Sequence, residues 1–192
     1  ASDVYKRQRH CSAALKGRAR FIGSHPMAGS EKSGMDNASA DLFEDRTCFI
    51  TPLEDSEPDA KDTVISFWQD LGCHVLQERP EKHDSIVANV SHLPHLLAST
   101  LASYLSTALP ESDQFCGNGL KDTTRIASGD PQMWRDIVIQ NRPEIIRAIG
   151  AFQDELQLFK ANIANEEDFA VLQALADGKA FRDKLDAEHP QE

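Results

Sequence analysis

The sequence predicts a mixed α/β region followed by a region made of helices alone. Short apolar runs with the character of strands stand before residue 81, and one helical pattern separates the last two of them. Beyond that residue, apolar positions recur only at helical spacing. The order strand, strand, helix, strand is typical of the trailing edge of an α/β sheet. We therefore expect a sheet-bearing domain over residues 1–80 and a helical domain over residues 81–192.

The first predicted strand leads into a glycine-rich stretch that contains a histidine. Phe21 and Ile22 close a short apolar run, and the glycines and proline after them prevent a long regular element. His25 should therefore stand at a strand end, where α/β sheets bind their ligands and where a titratable group is a site candidate. The alternative is a histidine that merely occupies a turn.

The remaining strands flank one amphipathic helix. Residues 47–52 (TCFITP) form a short apolar run closed by a proline, and residues 59–73 carry apolar side chains at helical spacing before a glycine stop. The HVLQE directly after them predicts another strand. By contrast, residues 1–8 (ASDVYKRQ) lack a pattern and join awkwardly to the residues after them, so we expect them to be non-native.

Prolines mark the starts of the predicted helices. Residues 84–108 form one apolar helical stretch, in which Pro94 fits if Ser91 caps a new segment, and a kink or restart is expected there. Asp130 is predicted to cap the next helix, with Pro131 at its first position.

The longest helical pattern begins near Pro143, which repeats the proline start, and it carries a heptad-like apolar seam. The seam alternates steps of four and three through Ile145, Ile149, Phe152, Leu156, Phe159 and Ile163. A seam of this length packs against another helix of the same chain or of a second subunit. Asn165 and the three carboxylates after it predict the start of a last helix.

Composition and charge disfavour some classes of partner. The 192 residues are 40% hydrophobic, which is enough for a core. With 20 basic against 31 acidic residues the formal charge is −11, so nucleic acid and anionic membranes are not expected partners. No signal peptide or apolar run of membrane length is recognisable, and the four cysteines are widely spaced. We expect reduced thiols in a cytoplasmic protein.

Polar side chains interrupt the apolar helix of residues 83–98 (HDSIVANVSHLPHLLA). They are His83, Asp84, Ser91, His92 and His95. Buried histidines with hydrogen-bond partners and a capping serine are the structural explanation. A metal site is the other, because His92 and His95 are three residues apart, although no carboxylate or cysteine accompanies them at ligand spacing.

Residues 116–136 (CGNGLKDTTRIASGDPQMWRD) combine a glycine-bearing turn with cationic side chains. Arg125 can bind a carboxylate through its planar fork, and Lys121 can add a point charge. The alternative is an exposed loop in which Asp122 pairs with Arg125, and the residues leave both open. A histidine at a sheet edge, a polar helix and a cationic loop together suit a small anionic substrate that loses a proton.

Three motifs in this order, GSHPMAGSEKSG, HDSIVANVSHLPHLLA and GLKDTTRIASGDPQMWRDI, closely resemble the prephenate dehydrogenase family of tyrosine biosynthesis. The resemblance runs from Phe21 onward. It implies an N-terminal Rossmann domain that binds NAD or NADP and a helical C-terminal domain that forms a homodimer. The glycine-rich nucleotide fingerprint is missing because its strands would precede residue 1, so we expect the chain to be a fragment.

The resemblance also implies roles for individual residues. His25 matches the catalytic histidine that binds the substrate hydroxyl and takes its proton. The matching substrate-binding positions are His95, Arg125, Lys121, Ser91 and Trp134, and Arg125 is the residue that holds a carboxylate. The matching gating or supporting positions are Glu31, Asp122 and His92. Cofactor-binding residues stay unassigned, and no metal is implied.

The implied activity is the oxidative decarboxylation of prephenate to 4-hydroxyphenylpyruvate. Loss of hydride and carbon dioxide creates an aromatic ring, so the protein chiefly has to orient the substrate, bind anions and accept one proton. A close variant acts on arogenate, and the residues separate neither these substrates nor NAD from NADP. A second hypothesis is a dimerising fragment that is inactive by itself. A histidine-ligated metal protein is the third.

Overall fold

The computed structural model describes residues 3–28 and 38–188, and the chain divides into two compact units, residues 1–146 and 147–192. The strands are β1 Gly23–Pro26, β2 Thr47–Thr51 and β3 His74–Gln77. The α-helices are α1 Asp3–Leu15, α2 Pro58–Asp70, α3 Pro80–Val87, α4 Leu93–Ala108, α5 Asn118–Thr124, α6 Pro131–Gln140, α7 Arg142–Ala164 and α8 Asp168–Glu188. A π-helical turn, Ala88–His92, joins α3 to α4, and 3₁₀ turns span Ser112–Phe115 and Arg125–Ser128. A small sheet followed by helices confirms the predicted fold class.

The three described strands form one sheet in the order β1, β2, β3. Strand β1 runs antiparallel to β2, whereas β3 runs parallel to β2 after the crossover helix α2. The register places His25 directly opposite Phe49. The predicted strands at residues 47–52 and 74–78 and the helix between them are confirmed.

The prediction that the strand ends with Phe21 and Ile22 is wrong, because the strand begins only at Gly23. Phe21 and Ile22 precede β1, and His25 lies within that strand. Gly23 and Pro26 prevent a long element but not a strand of four residues, since a short strand at the edge of the described sheet tolerates a proline, which has no N–H to offer a neighbour. His25 is therefore held by strand register and not by a turn.

Strand β2 has two different faces, because successive side chains of a strand alternate. On one face, Cys48 and Ile50 are fully buried and form a core cluster with Cys73. Helix α2 covers this cluster with partly buried apolar side chains, among them Val64, Ile65 and Trp68. Phe49 belongs to the other face, where its ring lies 5.3 Å from that of His83 in α3. The sheet thus carries its core on one side and a histidine of α3 on the other.

Helix α1 covers a stretch for which the sequence predicted no element, and it packs against α3. Whether residues 1–8 are native stays a prediction. Helix α2 begins with Pro58 in its first turn, and the chain leaves it through Gly72, whose φ of 85° is the left-handed conformation that favours glycine. The predicted domain division after residue 80 likewise stays a prediction, and it lies inside the first compact unit.

The path from α3 to α4 is continuous helix with one widened turn. Ser91 lies inside the π turn, and α4 begins at Leu93 without a side-chain cap, so the prediction that Ser91 caps a new segment is wrong. Pro94 stands in the first turn of α4, where its missing N–H and its ring disrupt the regular bonding pattern. The π turn absorbs that disruption without ending the helix.

The start of α6 confirms its prediction. Oδ1 of Asp130 accepts a hydrogen bond from the backbone N–H of Met133 at 2.7 Å, and Pro131 occupies the first position. The start of α8 differs from its prediction, because the helix begins at Asp168 and not directly after Asn165. Glu166 takes a left-handed φ of 56°, which turns the chain before the new helix can begin.

The apolar seam of α7 is buried only at its beginning. Ile145 is 3% exposed, whereas Leu156 and Ile163 are each 57% exposed. Helix α8 also leaves large apolar side chains in solvent, namely Phe169, Leu172, Leu175 and Phe181. Large exposed apolar side chains in such number are typical of an interaction surface. Among the described residues no helix combines the length and the apolarity needed to cross a membrane.

Candidate active site

Three side chains form a hydrogen-bonded chain where β1 meets α3. Nδ1 of His25 lies 2.9 Å from Nε2 of His83, and Nδ1 of His83 lies 3.0 Å from Oδ1 of Asp84. His83 is buried and Asp84 is completely buried, whereas much of the His25 side chain reaches solvent. These hydrogen bonds therefore connect an accessible imidazole to a carboxylate inside the protein.

The register of β1 with β2 and the start of α3 together position these three side chains. His25 and its cross-strand partner Phe49 both contact the ring of His83 edge-on, with centroid separations of 5.1 and 5.3 Å. Helix α3 begins three residues after β3, with Pro80 in its first turn, and the N–H of His83 bonds to the carbonyl of Arg79 at 3.0 Å. The short connection delivers His83 and Asp84 to the face of the sheet that α2 leaves open.

Asn141, between α6 and α7, connects Asp84 with His92 of the π turn. Its side chain is buried, and Nδ2 donates to the backbone carbonyl of Asp84 at 2.8 Å while lying 3.3 Å from Nδ1 of His92. The Asn141 amide therefore contacts both the backbone of Asp84 and one ring nitrogen of His92. Oδ2 of Asp84 and Oδ1 of Asn141 are buried without hydrogen-bond partners in the described part of the chain.

An aromatic stack extends the network. The rings of His95 and Trp134 are parallel within 8° at a centroid separation of 3.5 Å, and His92 meets Trp134 edge-on at 6.2 Å. Gly129 leaves the room that this stack needs. A Cβ on Gly129 would lie 2.6 Å from Nε1 of Trp134 and 3.1 Å from Cε1 of His95.

The environment keeps three of these imidazoles neutral at pH 7. Desolvation lowers the pKa of His25 below its ordinary value, nearby His83 lowers it further, and Asp84 acts in the opposite direction. Desolvation lowers the pKa of His92 to about 4, with smaller contributions from His25 and His83. Desolvation alone lowers the pKa of His95. A neutral imidazole can accept a proton, so His25 combines the protonation state of a base with an accessible ring.

The cationic candidates lie on the next segment of the chain. Lys121 and Asp122 belong to α5, and Arg125 begins the 3₁₀ turn after it; all three side chains are exposed. Both elements pack against α4, the helix that carries His95. The turn closes through hydrogen bonds from Ser128 Oγ to the Arg125 carbonyl and from the Gly129 N–H to the Ile126 carbonyl. Four residues after Arg125 the polypeptide thus reaches Gly129, which lies against the aromatic stack.

The structure brings together part of the set predicted from the sequence. His25, His92, His95 and Trp134 belong to one contact network. Lys121, Asp122 and Arg125 stand on the neighbouring segment, Ser91 is half-buried in the π turn, and Glu31 lies outside the described residues. Sequence reasoning did not assign roles to four members of the network, which are His83, Asp84, Gly129 and Asn141. The adjacent His-Asp pair was the available signal, but its partner His25 is 58 positions away.

A metal site and a surface cavity are less well supported as the functional site than this network. In residues 3–28 and 38–188 no three His, Cys, Asp or Glu side chains are grouped so as to hold a metal ion. A surface cavity between the end of α1 and the loop before α2 contains Arg20, which pairs with Glu57 and Asp59. Arg9, Lys16 and Arg18 also line this cavity, but none of the histidine network does.

Two family models match the chain. The one described as "Prephenate dehydrogenase, nucleotide-binding domain" matches residues 5–77, and the one described as "Prephenate dehydrogenase, dimerization domain" matches residues 79–176. The matches meet between β3 and α3. His25 belongs to the first match, and His83, Asp84, His95 and Trp134 belong to the second.

Individual proteins are similar over most of the chain. The prephenate dehydrogenase of Bacillus subtilis strain 168 is 30% identical over 92% of this chain and 48% of its own length. The crystal structure of prephenate dehydrogenase from A. aeolicus in complex with hydroxyphenyl propionate and NAD+ is 36% identical with a TM-score of 0.87, over 94% of this chain and 64% of that one. The crystal structure of Synechocystis arogenate dehydrogenase is 26% identical with a TM-score of 0.77, over 89% and 63%. The chain spans about half the length of the curated relatives it matches.

Proposed function

The chain belongs to the prephenate dehydrogenase family, and from this premise we propose that the full-length protein converts prephenate to 4-hydroxyphenylpyruvate by oxidative decarboxylation, with NAD or NADP as hydride acceptor. The observation that carries the proposal is the position of His25. An accessible imidazole with a lowered pKa stands at the junction of the two matched domains, with its inner nitrogen bonded to a buried histidine. A base for a hydroxyl proton requires this combination.

His25 supplies the proton chemistry in this proposal. The ring hydroxyl of prephenate donates to the free nitrogen of His25, and the proton passes to it as the ring loses carbon dioxide and a hydride. The dinucleotide, when bound, accepts the hydride. No group of the protein has to change covalently, so orientation and removal of one proton are its main contributions.

The cationic segment binds the carboxylates of the substrate in this proposal. Arg125 holds one carboxylate through its planar fork, and Lys121 adds positive charge. Trp134 and His95 form a flat wall against which the ring lies, and Ser91 completes the pocket. Asp122, His92 and Glu31 support or gate it. The stack at 3.5 Å and the burial of His95 support a rigid wall.

The described residues provide the substrate side of the site. In residues 3–28 and 38–188 no glycine-rich turn stands between a strand and a helix, so the kind of turn that binds a pyrophosphate is not among the described residues. The chain alone is accordingly proposed to be inactive, and activity is proposed for the full-length protein.

A second substrate is supported by a specific observation. One similar structure is an arogenate dehydrogenase, and another relative is named cyclohexadienyl dehydrogenase. Arogenate differs from prephenate by an amino group in place of the keto group of the side chain. Both substrates present the same hydroxyl to His25, so the proposed proton chemistry is common to both.

The proposal extends to assembly and location. The match to a dimerisation domain and the exposed apolar side chains of α7 and α8 support a homodimer. A cytoplasmic location is part of the same proposal. Light scattering should report a dimer at micromolar concentration. A monodisperse monomer would contradict the proposed assembly.

Formation of reduced dinucleotide tests the activity directly. The full-length protein is assayed with prephenate and with arogenate, each in the presence of NAD or NADP. Reduction that depends on either substrate and yields the decarboxylated aromatic product supports the proposal. Absence of reduction in all four combinations, in a preparation that is folded and binds a dinucleotide, would contradict it.

A further inference from the structure

The alternation of donors and acceptors along His25, His83 and Asp84 determines which ring nitrogens carry protons. An ionised carboxylate has acceptors only, so Oδ1 of Asp84 at 3.0 Å requires a proton on Nδ1 of His83. In a neutral imidazole the other nitrogen is then an acceptor. Nε2 of His83 therefore accepts from Nδ1 of His25 at 2.9 Å, and Nε2 of His25 is left with its lone pair.

The opposite arrangement places two acceptors against each other. If Nδ1 of His25 were the acceptor, Nε2 of His83 would carry the proton of that ring. Its Nδ1 would then face the Asp84 carboxylate with a lone pair, across 3.0 Å in a completely buried place. Unpaired groups of this kind are costly away from water. The network thus selects one tautomer of His25.

We propose that His83 and Asp84 are positioning residues that hold His25 in the tautomer with the proton on Nδ1 and balance the charge that His25 gains. This inference rests on the proposed function for the role of His25 as a base. When Nε2 of His25 takes the hydroxyl proton, the O–H bond breaks and an N–H bond forms. The resulting imidazolium donates through Nδ1 to His83, whose own proton points to the Asp84 carboxylate.

The placement of Asp84 favours this role over a purely structural one. Its carboxylate is completely buried, one oxygen meets only His83, and the other is without a partner among the described residues. A buried carboxylate with so few hydrogen bonds is a poor way to stabilise a fold. Its charge is available to the imidazoles instead. The titratable groups around His25 are His83 and Asp84 from α3, His92 from the π turn, and Cys48 from β2, which contacts the His25 backbone.

Nitrogen-15 NMR of histidine-labelled full-length protein tests the tautomer without any substrate. Long-range correlations between ring nitrogens and carbon-bound protons distinguish the two neutral forms, and the variants His25→Gln and His83→Gln assign the signals. We expect His25 and His83 both to be protonated on Nδ1 at pH 7.5. A proton on Nε2 of His25, or an averaged mixture of both forms, would overturn the proposal.

Kinetics of Asp84→Asn and Asp84→Glu test the catalytic consequence. We expect kcat to fall about 10²- to 10⁴-fold in Asp84→Asn with KM within a few-fold, and Asp84→Glu to recover part of the loss because it keeps the charge. The melting temperature of Asp84→Asn should stay within a few degrees of the wild type. Asp62→Asn, an exposed substitution on α2, is the control. Unchanged kcat in Asp84→Asn would overturn the positioning role.

The two arms separate this inference from the proposed function. If Asp84→Asn does not fold, the tautomer measured in the wild type still decides the proposal. If the wild type shows the expected tautomer but turns over neither prephenate nor arogenate, the proposed function fails and the assignment of the tautomer stands. If the wild type turns over substrate but shows the other tautomer, the proposed function stands and the assignment of the tautomer fails.

Discussion

The two halves of the candidate site are built in opposite ways. The proton side consists of rings and amides held by hydrogen bonds and stacking, from His25 inward to Asp84 and across Asn141 to Trp134. The anion side consists of exposed cations on α5 and one 3₁₀ turn. Proton transfer needs a fixed distance and tautomer, whereas carboxylate binding needs mainly charge and reach. We therefore expect changes to the proton side to lower kcat and changes to the anion side to raise KM.

The largest effect is expected at the accessible end of the proton side. His25→Asn can still bond the substrate hydroxyl but cannot take its proton, so kcat should fall about 10²- to 10⁴-fold with KM within a few-fold. His74→Asn, at an exposed histidine of β3, is the matched control and should retain wild-type kinetics. Steady-state assays of the full-length variants decide this. An unchanged kcat in His25→Asn would remove the distinction between the two halves.

Arg125 variants test the expected effect of the anion side on KM. A guanidinium that grips a carboxylate in both ground and transition states lowers KM without changing the barrier from the bound complex. Arg125→Ala should therefore raise KM about 10- to 100-fold, equivalent to roughly 1.5–3 kcal/mol for a charged hydrogen bond, and leave kcat within a modest factor. Arg125→Lys should recover little, because it lacks the two-pronged geometry.

The alternative for Arg125 is a surface ion pair with Asp122. That pair would contribute at most about 1 kcal/mol to stability and nothing to substrate binding. Melting temperatures measured beside the kinetics separate the two. A normal KM with a lowered melting temperature in Arg125→Ala would assign this segment a structural role alone.

Gly129 connects the two halves, because it follows the turn of Arg125 and makes room for the aromatic stack. A Cβ there would come 2.6 Å from Nε1 of Trp134, so Gly129→Ala must displace the indole from His95. We expect a change in kcat/KM of about tenfold, since displacement of a binding wall misplaces the substrate. Gly178→Ala in α8 is the control, because no atom lies within 4 Å of its Cβ position. Equal kinetics for both variants would contradict the role of the stack.

The buried histidines of the proton side should also affect stability in mild acid. The folded protein lowers the pKa of His92 to about 4, so between that value and about 6.5 the unfolded chain binds more protons than the folded one. The free energy of unfolding should therefore fall as pH decreases from 6.5 towards 4, by on the order of 2–3 kcal/mol from this residue. Urea unfolding at several pH values measures this.

Variants show whether His92 causes the acid dependence. His92→Gln should flatten the decrease in unfolding free energy between pH 6.5 and 4, because the group that gains a proton on unfolding is gone. His74→Gln should keep the wild-type dependence, since the His74 side chain is 70% exposed. A slope that is the same in His92→Gln and in the wild type would show that the buried network does not control acid stability.

Elements with local signals could be predicted from the sequence, and the network could not. The cap at Asp130, the proline at Pro131 and the apolar run of β2 each depend on neighbouring residues, and the structure has them where the pattern indicates. The link between His25 and His83 depends on strand register and on how α3 packs, which no local pattern contains. The resemblance named His25, but it assigned nothing to His83, Asp84 or Asn141.

The helical errors have a physical reason as well. Proline and serine are common at helix starts, so Ser91 and Pro94 indicated a new helix. A widened turn is another way to accommodate proline, and it leaves no signature in residue type. At the start of α8, Asn165 is a favoured cap, but the left-handed turn at Glu166 moves the helix start to Asp168.

The pH dependence of kcat/KM measures whether His25 acts as a neutral base within the buried network. In the full-length protein, the acid limb of kcat/KM should have its midpoint below 6.5, the ordinary pKa of histidine, because the fold lowers the pKa of His25 and the base must be unprotonated. His25→Asn should lose this acid limb as well as most of its rate. An acid limb at or above pH 6.5, or the same limb in His25→Asn, would contradict the assignment of His25 as the base.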